Sequence, residues 1–322
     1  MDADDLALFE RSLRAATERH TGVALDAALT DLGWAEALET DPRAAVSTLF
    51  DLQGRAHATS DALGRVVSHA LGVTGDDLAV ALPAMGRWEP PGRLDGRTLH
   101  VDAVALPALG ATSRTLVVAR HDDGTVTVVV PTASLPDRGV EGIDPSMGLR
   151  AIENAEVELA PGTEIEPLDG AAWSDTVAEA QRALAHELVG NARRMLELAR
   201  RHALEREQFG QVIAAFQAVR HRLAETLVAI ETAEALLDAA WLDASPWAAA
   251  MAKAGAGRQA LVATRHCQQV LAGIGFTTEH DLHHHVRRVL VLDGLFGASK
   301  ALTVALGREL VATRRLPPLL SL

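Results

Sequence analysis

Apolar positions recur at two different periods along this chain, and the period changes twice. Through about residue 80 it is helical. In "DLALFERSLRAATERH", Leu6, Phe9, Leu13 and Ala16 fall on one stripe. "PRAAVSTLFDLQGRAHA" and "SDALGRVVSHAL" follow, each after turn-forming residues, with Ser60-Asp61 placed to cap the second. Near Pro83 the pattern breaks. "RWEPPGRLDG" carries Pro90-Pro91 and two glycines, which exclude a helix interior. Short alternating runs come next: "TLHVDAVAL", "RTLVVAR", "TVTVVVP" and "AIENAEVELAPGTEI". "HDDG" between the second and third runs is a hairpin turn signal.

From Ser174 the helical period returns and predicts long helices over about 174–203, 208–240, 246–272 and 280–312. Such lengths exceed the usual ~11–12 residues and favour a bundle, often one that packs across subunits. Gly210 reads as the turn between the first two helices, and the Leu-Pro-Pro tail as the stop of the last. The expected fold is mainly α with a small β domain. It has an N-terminal helical domain (1–82), a middle β domain (83–167) and a C-terminal four-helix bundle (168–322).

Composition narrows the partners. The formal net charge of −13 repels phosphate backbones, so nucleic acid is not expected. Cys267 is the single cysteine, which rules out a disulfide within the chain and leads us to expect a reducing cytoplasm. The acidic, amphipathic start lacks the features of a signal peptide. No charge-free stretch of 18 or more apolar residues occurs, so no membrane span is expected. Tyr is absent and Phe scarce, so the core must be Leu, Val and Ala.

Two stretches carry candidate chemistry. In "REQFGQ", Arg206 offers a planar fork suited to phosphate. Phe209 stands about one helical turn away with a ring face suited to a base. Alone, the pair fits more simply a surface Arg in an ion pair and a core Phe at a helix bend. In "QQVLAGIGFTTEHDLHHHVRRVL", Gly273 and Gly275 would allow a phosphate close to the backbone, or a plain helix C-cap.

Together and in this order, "RxxFGxxIxxFQAVxHxLA" and "QQVxxGIGFTxEHDLHxxxRR" resemble the acyl-CoA dehydrogenase family. The resemblance is strong over 174–297, weaker over 83–167, and rests on "LTDLGW" and architecture over 1–80. It implies that FAD binds at a subunit interface. One subunit would reach across with Arg206, Phe209, Gln269 and Gly273 to hold pyrophosphate and adenine. Ala272 replaces the first glycine of the family's pair and adds a methyl there.

The half of the site that a subunit builds for itself departs from the family pattern. "MGRWEPPG" stands in place of the family's Thr-Glu-Pro-Gly-Ala, and only "LHVDA" follows where a Trp-x-Thr platform would be. The base position before Gly297 is Phe296. The alternative base position, 26 residues before Arg206, is Ala180. The late Thr-x-Gln becomes Ala298-Ser299-Lys300. One half retained and one lost resembles the short, base-lacking subunit of the α2β2 steroid-degrading acyl-CoA dehydrogenases of actinobacteria. That implies a shared FAD and a longer partner subunit that supplies the catalytic Glu and most of the acyl-CoA site.

Two other readings stay open. In one, the chain is a self-sufficient homo-oligomer with a displaced base, for which Glu179, Glu187 and Asp293 are the candidates. In the other it is a flavin-free structural subunit. Further residues have plainer readings. Glu179 and Glu187 read as solvated or ion-paired, and Trp34 and Trp88 as packing. His280, His283, His284 and His285 read as the start of a helix rather than a metal site. Arg287 and Arg288 read as ion-pairing rather than ligand-binding, and Arg193-Arg194 with Arg200-Arg201 as one face of the first long helix.

Overall fold

The computed structural model describes residues 3–122 and 124–314. It opens with five helices: α1 (Ala3–Arg19), α2 (Val23–Asp31), α3 (Trp34–Thr40), α4 (Pro42–Ala56) and α5 (Ala62–Ala70). The start of α4 shows why local sequence suffices there. Asp41 accepts a hydrogen bond from the Ala44 amide at 3.1 Å, and Pro42 occupies the first helical position. Trp34 is buried and donates its indole N–H to the Ala45 carbonyl (3.1 Å), pinning α3 to α4.

Nine strands follow. They are β1 (Leu78–Val80), β2 (Leu82–Pro83), β3 (Gly92–Asp95), β4 (Thr98–Ala105), β5 (Arg114–His121), β6 (Gly124–Pro131), β7 (Arg138–Gly139), β8 (Arg150–Glu158) and β9 (Ile165–Leu168). They form one sheet in the order β7-β8-β4-β3-β5-β6-β9, with β1 on β5 and β2 on β4. The four alternating runs of the sequence are β4, β5, β6 and β8–β9. The short strands β1, β2, β3 and β7 carry too few residues to show a period. β5 and β6 pair through His121 and Gly124, and Asp123 of the expected turn lies outside the described residues.

Alternation along the strands divides the interior in two. Leu82, Val104 and Leu116 join the helical core, while Ala81, Ala103, Ala105 and Val117 belong to the sheet's own core. The first five helices share the helical core with the last five, and the described residues form two apolar clusters. Closest approach occurs between α4 and α6 (Ala172–Glu205). A methyl added at Gly190 would fall on the Asp51 carbonyl, and one at Gly54 on that of Glu187. Only glycine lets those backbones meet.

The remaining elements are a two-stranded hairpin, β10 (Glu207–Gln208) and β11 (Gln211–Val212), then α7 (Gln217–Asp243), α8 (Pro246–Leu271), α9 (Leu282–Gly294) and α10 (Ser299–Thr313). Two expectations are corrected here. The second long helix starts at Gln217, not 208, because a hairpin and a short 3₁₀ turn precede it. The expected helix over 280–312 is two helices. Phe296 (φ 50°) and Gly297 (φ 100°) turn the chain left-handed between them. Buried donors hold that turn: Gln181 Nε2 to the Phe296 carbonyl (3.0 Å), and Lys253 Nζ to the carbonyls of Asp293 (3.1 Å) and Gly297 (3.3 Å). An 18-residue window within Leu282–Thr313 has a span-like mean hydropathy of 1.7. Its helices of 13 and 15 residues each fall short of the ~20 that cross a bilayer core. The Leu-Pro-Pro stop lies outside the described residues.

Candidate functional site

α6 and α8 run side by side in the same direction. Thr264 meets the sulfur of Met195 at 3.7 Å in the later half of each helix, and Gln181 and Lys253 converge on the same turn in the earlier half. Their ends therefore emerge together. Arg206 leaves α6 there, and Gln269 and Gly273 leave α8. His280, just beyond, has its pKa lowered by burial first and then by the charges of His202 and Arg201 at the end of α6. One end of the bundle thus carries all four residues that the motifs singled out.

The hairpin displays Phe209. Gln208 pairs with Gln211, so Phe209 and Gly210 are the two central residues of a tight turn. Both have positive φ, 53° and 77°. Two-residue hairpins favour such a turn, but with Asn-Gly or Gly-Gly in it. An aromatic residue held left-handed is strained, on the order of 1–2 kcal/mol. Its ring is 92% exposed and meets Phe216 edge-on at 6.2 Å. Strain with no burial to offset it points to a role outside this chain. Gly210 is therefore a turn residue between α6 and α7, as expected, but within a hairpin rather than at a direct joint.

Arg206 is fixed through its backbone: its amide bonds His202 O (2.9 Å) and its carbonyl accepts from the Ile213 amide (2.8 Å). Its side chain is exposed, and among the described residues it makes no ion pair. Gln269 is exposed on the last turn of α8. A methyl at Gly273 would meet nothing within 4 Å, so nothing inside the chain requires its smallness. A cation fork, an aromatic face and an open backbone are the groups that the pyrophosphate and adenine of FAD need, so these residues fit that half of the cofactor. Sequence reading passed over two neighbours in the same exposed loop, Phe276 (71% exposed) and Ile274. The "GIGF" run contains them, but no period marks them as outward.

Ala272 sits at φ 52°, ψ −134°, a backbone suited to glycine. Ala272→Gly is expected to stabilise the chain by about 1 kcal/mol, read as a raised urea midpoint with unchanged slope.

The two base positions adjoin each other and are sealed. Ala180 and Phe296 are both 0% exposed, and the Gln181 amide next to Ala180 bonds the Phe296 carbonyl. Neither position has a group that takes a proton. The three candidate carboxylates are committed elsewhere. Glu179 accepts from Arg182 at 2.6 Å. Asp293 caps α10 through the Ser299 amide (3.1 Å) and hydroxyl (3.3 Å). Glu187 is 5% exposed, so of its two expected states, solvated or ion-paired, the second holds: it pairs with Arg288 in a buried network.

Arg288 is the centre of that network. Its Nε donates to Asp144 (2.6 Å), Nη1 to the Ala58 carbonyl (2.8 Å) and to Glu187 (3.4 Å), and Nη2 to Thr59 (3.0 Å). One cation between two carboxylates leaves one of them to take a proton. Burial would raise Asp144, but His57, Arg288 and Ser146 together hold its carboxyl well below the usual range. Burial pushes Glu187 up to about 7, which the more distant Arg288 only partly opposes. A raised folded-state pKa gives stability that is present below the ordinary value of 4.5 and is lost as pH rises through about 7. Glu187→Gln removes that loss. Relative to the parent, the variant is expected to gain on the order of 2–3 kcal/mol between pH 4.5 and 7.5, followed by urea unfolding across the range.

Two of the four histidines make hydrogen bonds within the chain that fix their rings. His280 Nδ1 accepts from the Leu282 amide (3.1 Å), and His285 Nδ1 donates to Asn191 Oδ1 (2.9 Å). Burial keeps His285 neutral, its pKa pushed down to about 3. Arg193 pairs with Asp51 at 2.5 Å and with Glu234, so part of the Arg193-Arg194 face packs on α4 and α7 rather than facing water.

Residues 170–311 match the model of the acyl-CoA dehydrogenase C-terminal domain. Acyl-CoA dehydrogenase IpdE2 of Mycobacterium tuberculosis is 31% identical over 249 residues, which cover 69% of this chain and 75% of that protein. FadE34 of the same organism is 42% identical over 123 residues, covering 36% of this chain but 17% of its own. Among solved structures, the Tcur3481-Tcur3483 steroid ACAD variant superposes over 97% of this chain and 99% of its own, with a TM-score of 0.79 and 22% identity. The ChsE4-ChsE5 complex from Mycobacterium tuberculosis does so over 99% of this chain and 100% of its own, at 0.77 and 20%. These two likenesses carry the fold, and the 31% identity to IpdE2 over most of both chains carries the kinship: the chain belongs to the acyl-CoA dehydrogenase family.

Proposed function

We propose that this chain is one subunit of a heteromeric, FAD-dependent acyl-CoA dehydrogenase, and that it completes a longer partner's flavin site without a catalytic base of its own. The observation that carries this reading is an asymmetry. Arg206, Phe209, Gln269 and Gly273 stand exposed at one end of the bundle, while Ala180 and Phe296 are sealed and carry no carboxylate. In this reading Arg206 holds the pyrophosphate through its fork, Phe209 covers the adenine, and Gln269 with the Gly273 backbone closes the remaining side. FAD, when bound, supplies a two-electron acceptor. The proton of the substrate must leave to a carboxylate of the partner.

An α2β2 assembly in the cytoplasm and a steroid-derived acyl group are part of the same proposal. Their support is the similarity to two solved structures whose names describe a steroid ACAD and a two-protein complex. Expression alone and together with longer acyl-CoA dehydrogenase chains tests the reading. The single chain is expected to purify colourless and inactive, and the pair yellow and active. A single chain that binds FAD stoichiometrically and oxidises an acyl-CoA would overturn it in favour of a displaced base.

A further inference from the structure

Three of the five tryptophans, Trp88, Trp173 and Trp247, line a single cavity of 380 Å³. It lies between the segment before β3, the first turns of α6 and α8, and one face of α10. In a chain with 3% aromatic residues and no tyrosine, this brings three of the large rings to one cavity. The rings are not core: all three indoles are only half-buried. They are nonetheless held in place. Trp173 donates its indole N–H to the Trp88 carbonyl at 3.0 Å, and its ring packs against Phe296 at 6.5 Å. Phe296, behind it, is itself unexposed.

The lining chooses the ligand. Aliphatic side chains of α6, α8 and α10, among them Val177, Ala250 and Leu306, complete the indole walls. Indole faces favour a flat ring system stacked or edge-on. The volume is near the small end of the ~300–1,000 Å³ typical of ligand pockets. The rim carries Glu89 and Glu309 against one cation, Arg120, so it is net negative on a chain of net charge −13. An anion is therefore disfavoured twice. A ligand end that reaches the floor meets the buried amide of Gln181, a neutral polar group.

We infer that this cavity is a binding site for an uncharged, flat, fused-ring molecule, separate from the flavin half-site. It does not depend on whether the chain completes a partner's flavin. Equilibrium dialysis of the full chain at pH 7 tests it, with 2-naphthol as the uncharged probe and 2-naphthoate as the anionic one. Saturable binding of one 2-naphthol per chain is expected, with 2-naphthoate at least tenfold weaker. Ala305→Phe, which fills the cavity from α10 at a partly exposed helical position, is expected to weaken 2-naphthol at least tenfold with an unchanged circular dichroism spectrum. The paired change Glu89→Gln and Glu309→Gln should narrow the gap between the two probes. No saturable binding, equal affinity for the two probes, or an Ala305→Phe chain that binds as well as the parent would each overturn the inference.

Discussion

Replacing Arg288 with Met is expected to destabilise the chain by about 3–5 kcal/mol, the cost of stranding a buried charge partner, measured as the fall in urea midpoint at pH 7. The side chain is 1% exposed, and its donors reach α6, the loop after α4 and the loop before β8. Met matches its volume but leaves Asp144 without its cation and the Ala58 carbonyl without that donor. Asp144 then either stays charged in an apolar site or takes a proton far above its native pKa, and both cost stability. Arg288→Lys keeps the charge but loses the fork, so an intermediate loss is expected. Asp144→Asn combined with Arg288→Met should lose less than the two single losses added together, because the two side chains are in direct contact. A single-variant loss under 1 kcal/mol, or simple additivity, would show that the network does not tie these elements together.

That network also marks where sequence reading stops. Alternation gave β4, β5, β6 and β8, because a strand with one face on each of two cores needs apolar residues at every second position. Period likewise predicted α6 and α8 to within two residues at each end. In the helical region the turn at Gly210 was expected but not its hairpin form, and the break at Phe296 was not legible. At Phe209 and at Phe296 the backbone turns left-handed at an aromatic residue, against local preference, and tertiary contacts hold at least the second. "RR" at 287–288 could not say which arginine faces inward. Helix phase decides that, and phase depended on a start at Leu282 that the histidine run obscures. The motif residues were the opposite case. Arg206, Phe209, Gln269 and Gly273 were legible as a set although no local rule explains them. The fold itself makes little use of their side chains, which stand exposed at one end of the bundle.

That independence makes the flavin reading testable without disturbing the fold. In the complex with a longer subunit, Arg206→Ala is expected to lower FAD affinity tenfold to a hundredfold. The basis is a hydrogen bond to a charged group worth about 1.5–3 kcal/mol, and the readout is flavin retained after dialysis against graded FAD. Phe209→Ala should cost roughly 5–10-fold, the worth of one aromatic contact. Neither side chain is buried, so each variant should unfold within about 0.5 kcal/mol of the parent. Phe209→Gly separates the two roles of that residue. Glycine relaxes the left-handed turn and removes the ring together, so hairpin stability should rise while flavin affinity falls. A merely structural Phe would move both in the same direction. If Arg206→Ala and Phe209→Gly both leave flavin content unchanged, the corner does not hold FAD, and the flavin-free structural subunit becomes the better account of why a strained, exposed ring is kept there.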